Sequence, residues 1–272
     1  DHLMSPIGPA RTLVLRACNF QTARFTSQSV NVKNNSFAMS GCGWLMPFHV
    51  GVIKAMKERG VMNDTSHYAG TSGGSICSLL ACSNLPCEEA LELIIQVSTD
   101  PVIWSNMDAG IRKTLDILIT EEKLQLCQGR LHIATTRVWP KPKAQVTMFS
   151  NFDSKEHLID CVAASCFIPL YGARNQFKVK IGGVDAVDSY LDGGVFAFMP
   201  PVGDVTISPF ANNHFHFKPP NWRDIDIHLD KTDYPLSKLL YWALHPAPEK
   251  ELRELSRQGE IKAHKWMDER KL

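Results

Sequence analysis

Short apolar runs alternate with segments of helical periodicity between residue 36 and about residue 210. The run SFAMS at 36–40 predicts a buried strand, and the next segment repeats its apolar residues at helical spacing from Pro47 until Gly60 ends it. Strands that alternate with helices predict an α/β fold, a three-layer arrangement with a mostly parallel central sheet and helices on both faces. Further strands are predicted at 66–70, 131–138, 144–150, 187–194, 204–209 and 224–229, and further helices at 74–83, 88–97, 109–119, 154–166 and 236–272.

The two ends of the chain differ from this alternating part. Residues 1–34 have weak periodicity and predict an N-terminal arm, with a strand at 12–17. After Asp1 the next acidic residue is Glu58, and such an acid-poor leader is typical of plastid or mitochondrial targeting segments, the alternative being a plain polar arm. We expect a catalytic domain over 35–210 and, over 211–272, a C-terminal helical extension that packs on the core.

The composition is that of an ordinary globular protein. The 272 residues are 44% hydrophobic and 21% charged, with a net charge of +1, which gives no argument for nucleic-acid binding. No apolar run approaches the roughly 20 residues of a membrane span. The eight cysteines form no C-x-x-C pair, which disfavours a zinc site and favours reduced thiols in an intracellular protein, with a secreted disulfide protein as the alternative. We expect no metal and no cofactor.

One serine stands in a pattern that suggests a nucleophile. Gly70, Ser72 and Gly74 form Gly-x-Ser-x-Gly between a predicted strand and a predicted helix. Catalytic serines of this type occupy a sharp strand-to-helix turn, where the helix N-terminus favours negative charge. The pattern alone also arises by chance in glycine-rich loops, so its meaning depends on partners elsewhere in the chain.

Two further glycine turns supply candidate partners. The loop Gly41-Cys42-Gly43 also lies between a strand and a helix, and its N–H groups predict an oxyanion hole, the alternative being a plain turn or a phosphate loop. Asp192 ends a predicted strand and could accept the serine proton, although Asp-Gly is also a common turn. The glycines that follow this aspartate are Gly193 and Gly194.

Together, these motifs resemble the patatin-like phospholipase family, and most closely its branch of adipose triglyceride lipase and adiponutrin. The glycine loop, the serine motif about 30 residues later and Asp-Gly-Gly about 120 residues beyond that occur in the family's order. The resemblance covers about 36–210 and includes GCGWLMPFHVGV, GTSGGS, SKEHLIDCVAASCFIPLYG, YLDGGVFAFMP and VTISPF.

The resemblance implies a lipid acyl hydrolase that cleaves fatty-acyl esters of glycerolipids, with Ser72 as nucleophile and Asp192 as base. It also implies a substrate at a membrane or lipid-droplet surface, in the cytoplasm or on the droplet itself, and leaves any activator protein unidentified. The chain departs from the patatin pattern at the end of the glycine loop, where Leu45 and Met46 replace a basic residue and a glycine. The lipase branch lacks the basic residue too but keeps the glycine.

Other readings remain open. An ordinary Ser-Asp-His hydrolase would need a histidine after the serine, and the candidates are His214, His216, His228 and His245. The HFH segment at 214–216 could instead be a two-ligand metal strand, although a solvated loop is favoured. A catalytically weak lipid-droplet or membrane adaptor would keep the fold without the activity. The apolar segment 234–246 fits a lipid interface, although packing over the sheet is favoured.

Overall fold

The computed structural model describes residues 35–101, 103, 106–139, 144–171, 178–183, 186–214 and 222–272. The predicted arm over 1–34, with its strand, lies outside these residues, as does His216. The described residues all fall within one unit, Asn31–Leu272.

A seven-stranded sheet forms the centre of the described residues. Its order is β5-β6-β3-β2-β1-β7, and β4 also pairs with β3. Strands β7, β1, β2 and β3 are parallel, whereas β4 and β6 run antiparallel to β3. The mostly parallel sheet predicted from the sequence is therefore confirmed. The strands are β1 (Ser36–Met39), β2 (His67–Thr71), β3 (Leu131–Trp139), β4 (Gln145–Phe149), β5 (Val179–Lys180), β6 (Ser189–Asp192) and β7 (Val205–Ile207).

Helices flank this sheet. Ser154 caps the helix that follows it, as predicted, by accepting a hydrogen bond from the N–H of His157 at 3.2 Å. The glycine loop continues into a 3-10 turn over Gly43–Leu45 before the first α-helix. The α-helices are α1 (Met46–Glu58), α2 (Gly73–Cys82), α3 (Cys87–Thr99), α4 (Met107–Leu118), α5 (Glu121–Cys127), α6 (Lys155–Ser165), α7 (Leu236–Leu244) and α8 (Glu249–Arg270).

Two sequence-based expectations about secondary structure differ from the structure. The strand predicted over 224–229 is wrong, because this segment forms only a single bridge, between Ile227 and Ile207. The Asp226 carboxylate accepts the N–H of Thr206 at 2.9 Å, so a side chain takes the place of a ladder hydrogen bond. The predicted C-terminal helix is two helices, since residues 245–248 carry two prolines that cannot continue a helix.

Helix α8 packs against α1, and glycine makes the approach close. A Cβ added at Gly259 would lie 2.2 Å from the carbonyl oxygen of Phe48. The buried residues Leu252, Leu255 and Met267 face the same core. Because the glycine loop leads directly into α1, this contact supports the site described next.

Candidate active site

Ser72 occupies the turn between β2 and α2. Its backbone has φ 53° and ψ −129°, a conformation that residues with a side chain rarely adopt and that is kept where the surrounding structure enforces it. Gly70 and Gly74 permit the turn, because a Cβ at either position would lie 2.3 Å from a backbone oxygen. The strand, turn and helix predicted around Ser72 are therefore present.

A hydrogen bond to a helix that is distant in sequence holds the serine turn in place. The backbone N–H of Ser72 donates to Ser165 Oγ at 2.9 Å, and the Ser165 hydroxyl donates to the carbonyl of Ala134 at 2.7 Å. Ser165 ends α6 and is fully buried. No motif in the sequence marks this serine; its only signal is a polar residue among the apolar residues of a buried helix.

Strand β3 brings Asp192 beside the serine turn. Thr71, which precedes Ser72, pairs with Ala134, and Asp192 pairs with the next residue, Thr135. Two strands from distant parts of the sequence thus end at neighbouring positions of a third. Asp192 is further fixed by its N–H, which donates to the carbonyl of Phe167 at 2.8 Å.

The Asp192 carboxyl is buried, and its two oxygens differ. Oδ1 accepts a hydrogen bond from the N–H of Gly194 at 2.6 Å, whereas Oδ2 has no hydrogen-bond partner among the described residues. Burial raises the pKa of Asp192 to about 6, although the Ser72 side chain and the Gly194 N–H both oppose the rise. The Ser72 hydroxyl is therefore close enough to influence the carboxyl, although the resting geometry contains no regular hydrogen bond between them.

The glycine loop lies against the start of α2. A Cβ added at Gly73 would lie 3.2 Å from the backbone nitrogen of Gly43, so the two turns are in contact. The N–H of Gly41 donates to the carbonyl of Phe198 at 2.8 Å. This N–H is therefore occupied, which departs from the sequence-based expectation that Gly41 donates to an oxyanion. The N–H groups of Cys42 and Gly43 make no backbone hydrogen bond within the described residues.

A buried histidine contacts the glycine loop. His49 Nδ1 lies 3.6 Å from Cys42 Sγ, and its side chain is fully buried in α1. Burial lowers the pKa of His49 to about 3, so the ring is neutral at physiological pH. The sequence alone gives no reason to single out this histidine, because it precedes Ser72 and belongs to a helix with regular periodicity.

Both turns open on a cavity of about 620 Å³. Ser72 and Asp192 lie in its wall, and Met46, which departs from the patatin pattern, lines it beside the loop. Its described lining contains no Lys, Arg or His and is mostly apolar, as in sites that bury most of a small ligand. The apolar lining includes Ile76, Leu93, Ile94, Val97, Met107, Ile111, Leu115, Ile168 and Leu240.

Three of the four histidines considered for a catalytic triad lie within the described residues, and all three lie away from Ser72. His214 Nδ1 accepts the N–H of Ala211 at 2.9 Å, and His228 Nδ1 lies 2.7 Å from the carbonyl of Leu229. His245 stacks on Tyr241. None of these three belongs to the cavity lining that contains Ser72. In the described part of the chain, no His, Cys, Asp and Glu side chains form a metal-binding group of three or more.

The segment 234–246, predicted either to pack on the core or to lie in a lipid interface, contains α7, which has a buried face and an exposed face. Leu239 and Trp242 are buried, while Leu240, Tyr241 and Leu244 are exposed. Among the described helices none combines the length and apolarity needed to cross a bilayer.

The fold and site define a class of α/β proteins that present a serine at a strand-to-helix turn, next to a buried aspartate and an apolar cavity. A family model described as patatin-like phospholipase matches residues 37–203. The chain belongs to the patatin-like phospholipase family, as the motifs predicted.

Similar proteins lie in the predicted branch of the family. Mouse 1-acylglycerol-3-phosphate O-acyltransferase Pnpla3 is 27% identical over 86% of this chain and 59% of its own length. Human patatin-like phospholipase domain-containing protein 4 is 26% identical over 84% of this chain and 94% of its own length. Bovine patatin-like phospholipase domain-containing protein 2 is 29% identical over 83% of this chain and 48% of its own length. The chain thus spans only about half to three fifths of the length of two of these three relatives.

A solved structure has the same fold. VipD from Legionella pneumophila superposes with a TM-score of 0.54 over 88% of this chain and 67% of its own, at 11% sequence identity. At this low sequence identity, the similarity shows a shared fold alone.

Proposed function

We propose that the protein hydrolyses fatty-acyl esters of glycerolipids through a Ser72–Asp192 dyad. The observation that carries the proposal is the shared wall of the apolar cavity, where a serine on a strained turn faces a buried carboxyl. An apolar cavity of this size accommodates an acyl chain, and the serine stands where the ester group of such a chain would lie.

The first half-reaction forms an acyl-enzyme. As Ser72 Oγ attacks the ester carbonyl, the hydroxyl proton passes to Asp192 Oδ2, the oxygen without a hydrogen-bond partner among the described residues. The N–H groups of Cys42 and Gly43 stabilise the oxyanion. Protonated Asp192 then gives the proton to the alcohol oxygen as the bond between that oxygen and the carbonyl carbon breaks. In the second half-reaction Asp192 takes a proton from water as the water oxygen attacks the acyl carbonyl. The bond between that carbonyl and Ser72 Oγ then breaks, Asp192 returns the proton to Ser72 Oγ, and the fatty acid is released.

The raised pKa suits Asp192 to this role. A carboxylate near its ordinary pKa of about 4 is a weak base, whereas a pKa of about 6 lies nearer to neutral pH. At pH 7 the carboxyl is still mostly ionised and able to accept the proton.

Labelling with a fluorophosphonate probe and fatty-acid release from mixed glycerolipids test the proposal. We expect the parent to react with the probe and to release fatty acid, and Ser72→Ala to lose both by on the order of a thousandfold. Ser78→Ala is the matched control, because Ser78 lies in α2, the helix that follows Ser72, and outside the cavity lining. A folded parent that neither labels nor releases fatty acid would favour the catalytically weak adaptor instead.

Acyl transfer is a second candidate, favoured by the names of two relatives. Besides the mouse acyltransferase, human omega-hydroxyceramide transacylase is 29% identical over 65% of this chain and 34% of its own length. An acceptor alcohol would then replace water in the second half-reaction. Since the described cavity lining holds no cationic side chain for a phosphate, we favour water or a neutral acceptor. Measuring the ratio of acylated monoacylglycerol to free fatty acid separates the two outcomes.

A further inference from the structure

Three segments at the cavity expose large apolar side chains. They are the turn over 166–171, the turn over 193–198, and α7. Six of their side chains are between 37% and 62% exposed. We call these six the apolar rim: Leu170, Val195, Phe196, Leu240, Tyr241 and Leu244.

The rim is continuous with the cavity. Val195, Leu240 and Leu244 line the cavity and are also exposed, so the cavity opens between them. The Tyr171 hydroxyl, next to Leu170, donates to the carbonyl of Leu244 and accepts from Trp44 Nε1 at 3.2 Å. These hydrogen bonds tie the turn over 166–171 to both α7 and the glycine loop.

The rim also lacks negative charge. The three segments, extended to 193–201 and 235–248, contain no Asp or Glu, and their basic residues are Lys238 and His245. The Lys238 ammonium lies 4.3 Å from the centre of the Trp242 ring. Leucines, a tyrosine and one lysine beside an apolar opening match the chemistry of a membrane interface, where aliphatic side chains enter the acyl region and amphipathic ones remain near the headgroups.

The backbone at Leu170 points to the same use. Its φ is 66°, a left-handed conformation that disfavours leucine, and its side chain is 62% exposed. Asparagine suits this conformation better and is polar. A strained backbone that holds an apolar side chain in solvent gives no advantage in folding, so it points to a function at the surface.

We propose that the apolar rim docks the protein on the surface of a glycerolipid aggregate, with α7 lying in the interface. An acyl chain then passes from the lipid into the cavity between Leu240 and Val195 without crossing water. The proposal rests on the proposed function for the fate of that chain, whereas docking itself requires no catalysis.

The test is flotation of the full chain with phosphatidylcholine vesicles and with a triolein emulsion, in a Ser72→Ala background. We expect Leu170→Asn combined with Tyr241→Ser to lower the bound fraction about tenfold. Both residues lie outside the cavity lining. The matched control is Ile261→Ser on α8, which removes a side chain that is 42% exposed and lies outside the three rim segments and the cavity lining. We expect this control to float like the parent.

The remaining outcomes separate docking on lipid from dimerisation and from hydrolysis. Equal flotation of the rim variant and the parent, or an equal loss in the control, would overturn the docking proposal. So would a parent that sediments as a dimer while the rim variant is a monomer with unchanged flotation, since a second copy would then cover the rim. Rim-dependent flotation of a parent that releases no fatty acid would retain docking and refute the proposed hydrolysis. With Ser72 intact, the rim variant should hydrolyse a short, dissolved ester at the parental rate and the emulsion more slowly.

Discussion

The backbone N–H of Ser72 donates a hydrogen bond to Ser165 Oγ, at 2.9 Å and across 93 residues of sequence. Because the Ser165 hydroxyl also donates to Ala134, one side chain fastens the serine turn to β3. The hydrogen bond leaves the Ser72 side chain free while it fixes the backbone that carries it.

Replacing Ser165 with alanine should loosen this turn. The substitution leaves the N–H of Ser72 without its acceptor, which costs about 1–3 kcal/mol in the free energy of unfolding. We expect kcat for ester hydrolysis to fall more than KM changes, because the nucleophile is misplaced while the cavity is intact. Ser78→Ala serves as the control, since its buried hydroxyl has no partner in the described residues. Parental stability and kcat in Ser165→Ala would contradict this role.

The pH dependence of hydrolysis should report the Asp192 carboxyl. Its pKa of about 6 means that the base is protonated below that pH. We therefore expect kcat/KM to fall about tenfold per pH unit below pH 6 and to level off above it. An acid limb near pH 4 in a pH–rate profile would show that burial does not perturb the carboxyl.

Neutralising Asp192 should stabilise the protein while it abolishes the reaction. A shift in pKa from 3.8 to about 6 corresponds to an ionisation penalty of up to about 3 kcal/mol in the folded state at pH 8. The sign follows from proton binding: the folded protein binds the proton more tightly, so its stability falls as pH rises through 6. Asp192→Asn should therefore raise the Tm at pH 8 and have little effect near pH 4. Asp188→Asn is the control, because the Asp188 side chain is 35% exposed and already has a charged partner, Arg137, at 3.3 Å.

The Ser72→Gly variant should be more stable than the Ser72→Ala variant. Both substitutions remove the nucleophile, but only glycine adopts a φ of 53° without backbone strain. We expect Ser72→Gly to exceed Ser72→Ala by about 1 kcal/mol in the free energy of unfolding, measured in denaturant. A more stable alanine variant would mean that the turn is unstrained.

The contact between the glycine loop and α7 should be intolerant of a side chain. A Cβ at Gly43 would lie 1.9 Å from the carbonyl oxygen of Ala243, so Gly43→Ala must displace the helix or the loop. We expect loss of activity together with a change in Trp242 fluorescence. The control is Gly129→Ala, which has a similar φ of 68° but open space around it. If the two variants behave alike, backbone strain rather than the contact is responsible.

Local patterns predicted much of this fold. The strand before Ser72 and the helix after it follow from short-range periodicity and glycine placement, and Ser154 was identifiable as a helix cap. The segment over 224–229 was mispredicted because its alternation is that of a strand, whereas the Asp226 side chain takes the N–H of Thr206. Ser165 and His49 were missed because their roles depend on contacts between distant elements.

The sequence by itself determined the family, the order of the motifs and the residue types that can perform acyl chemistry, because these are properties of spacing along one chain. The tertiary structure decided which of them meet. Thr71 and Asp192 pair with adjacent residues of β3, which brings the serine turn and the carboxyl to one cavity. It also decided the raised pKa of Asp192, because that shift comes from burial by residues far apart in sequence.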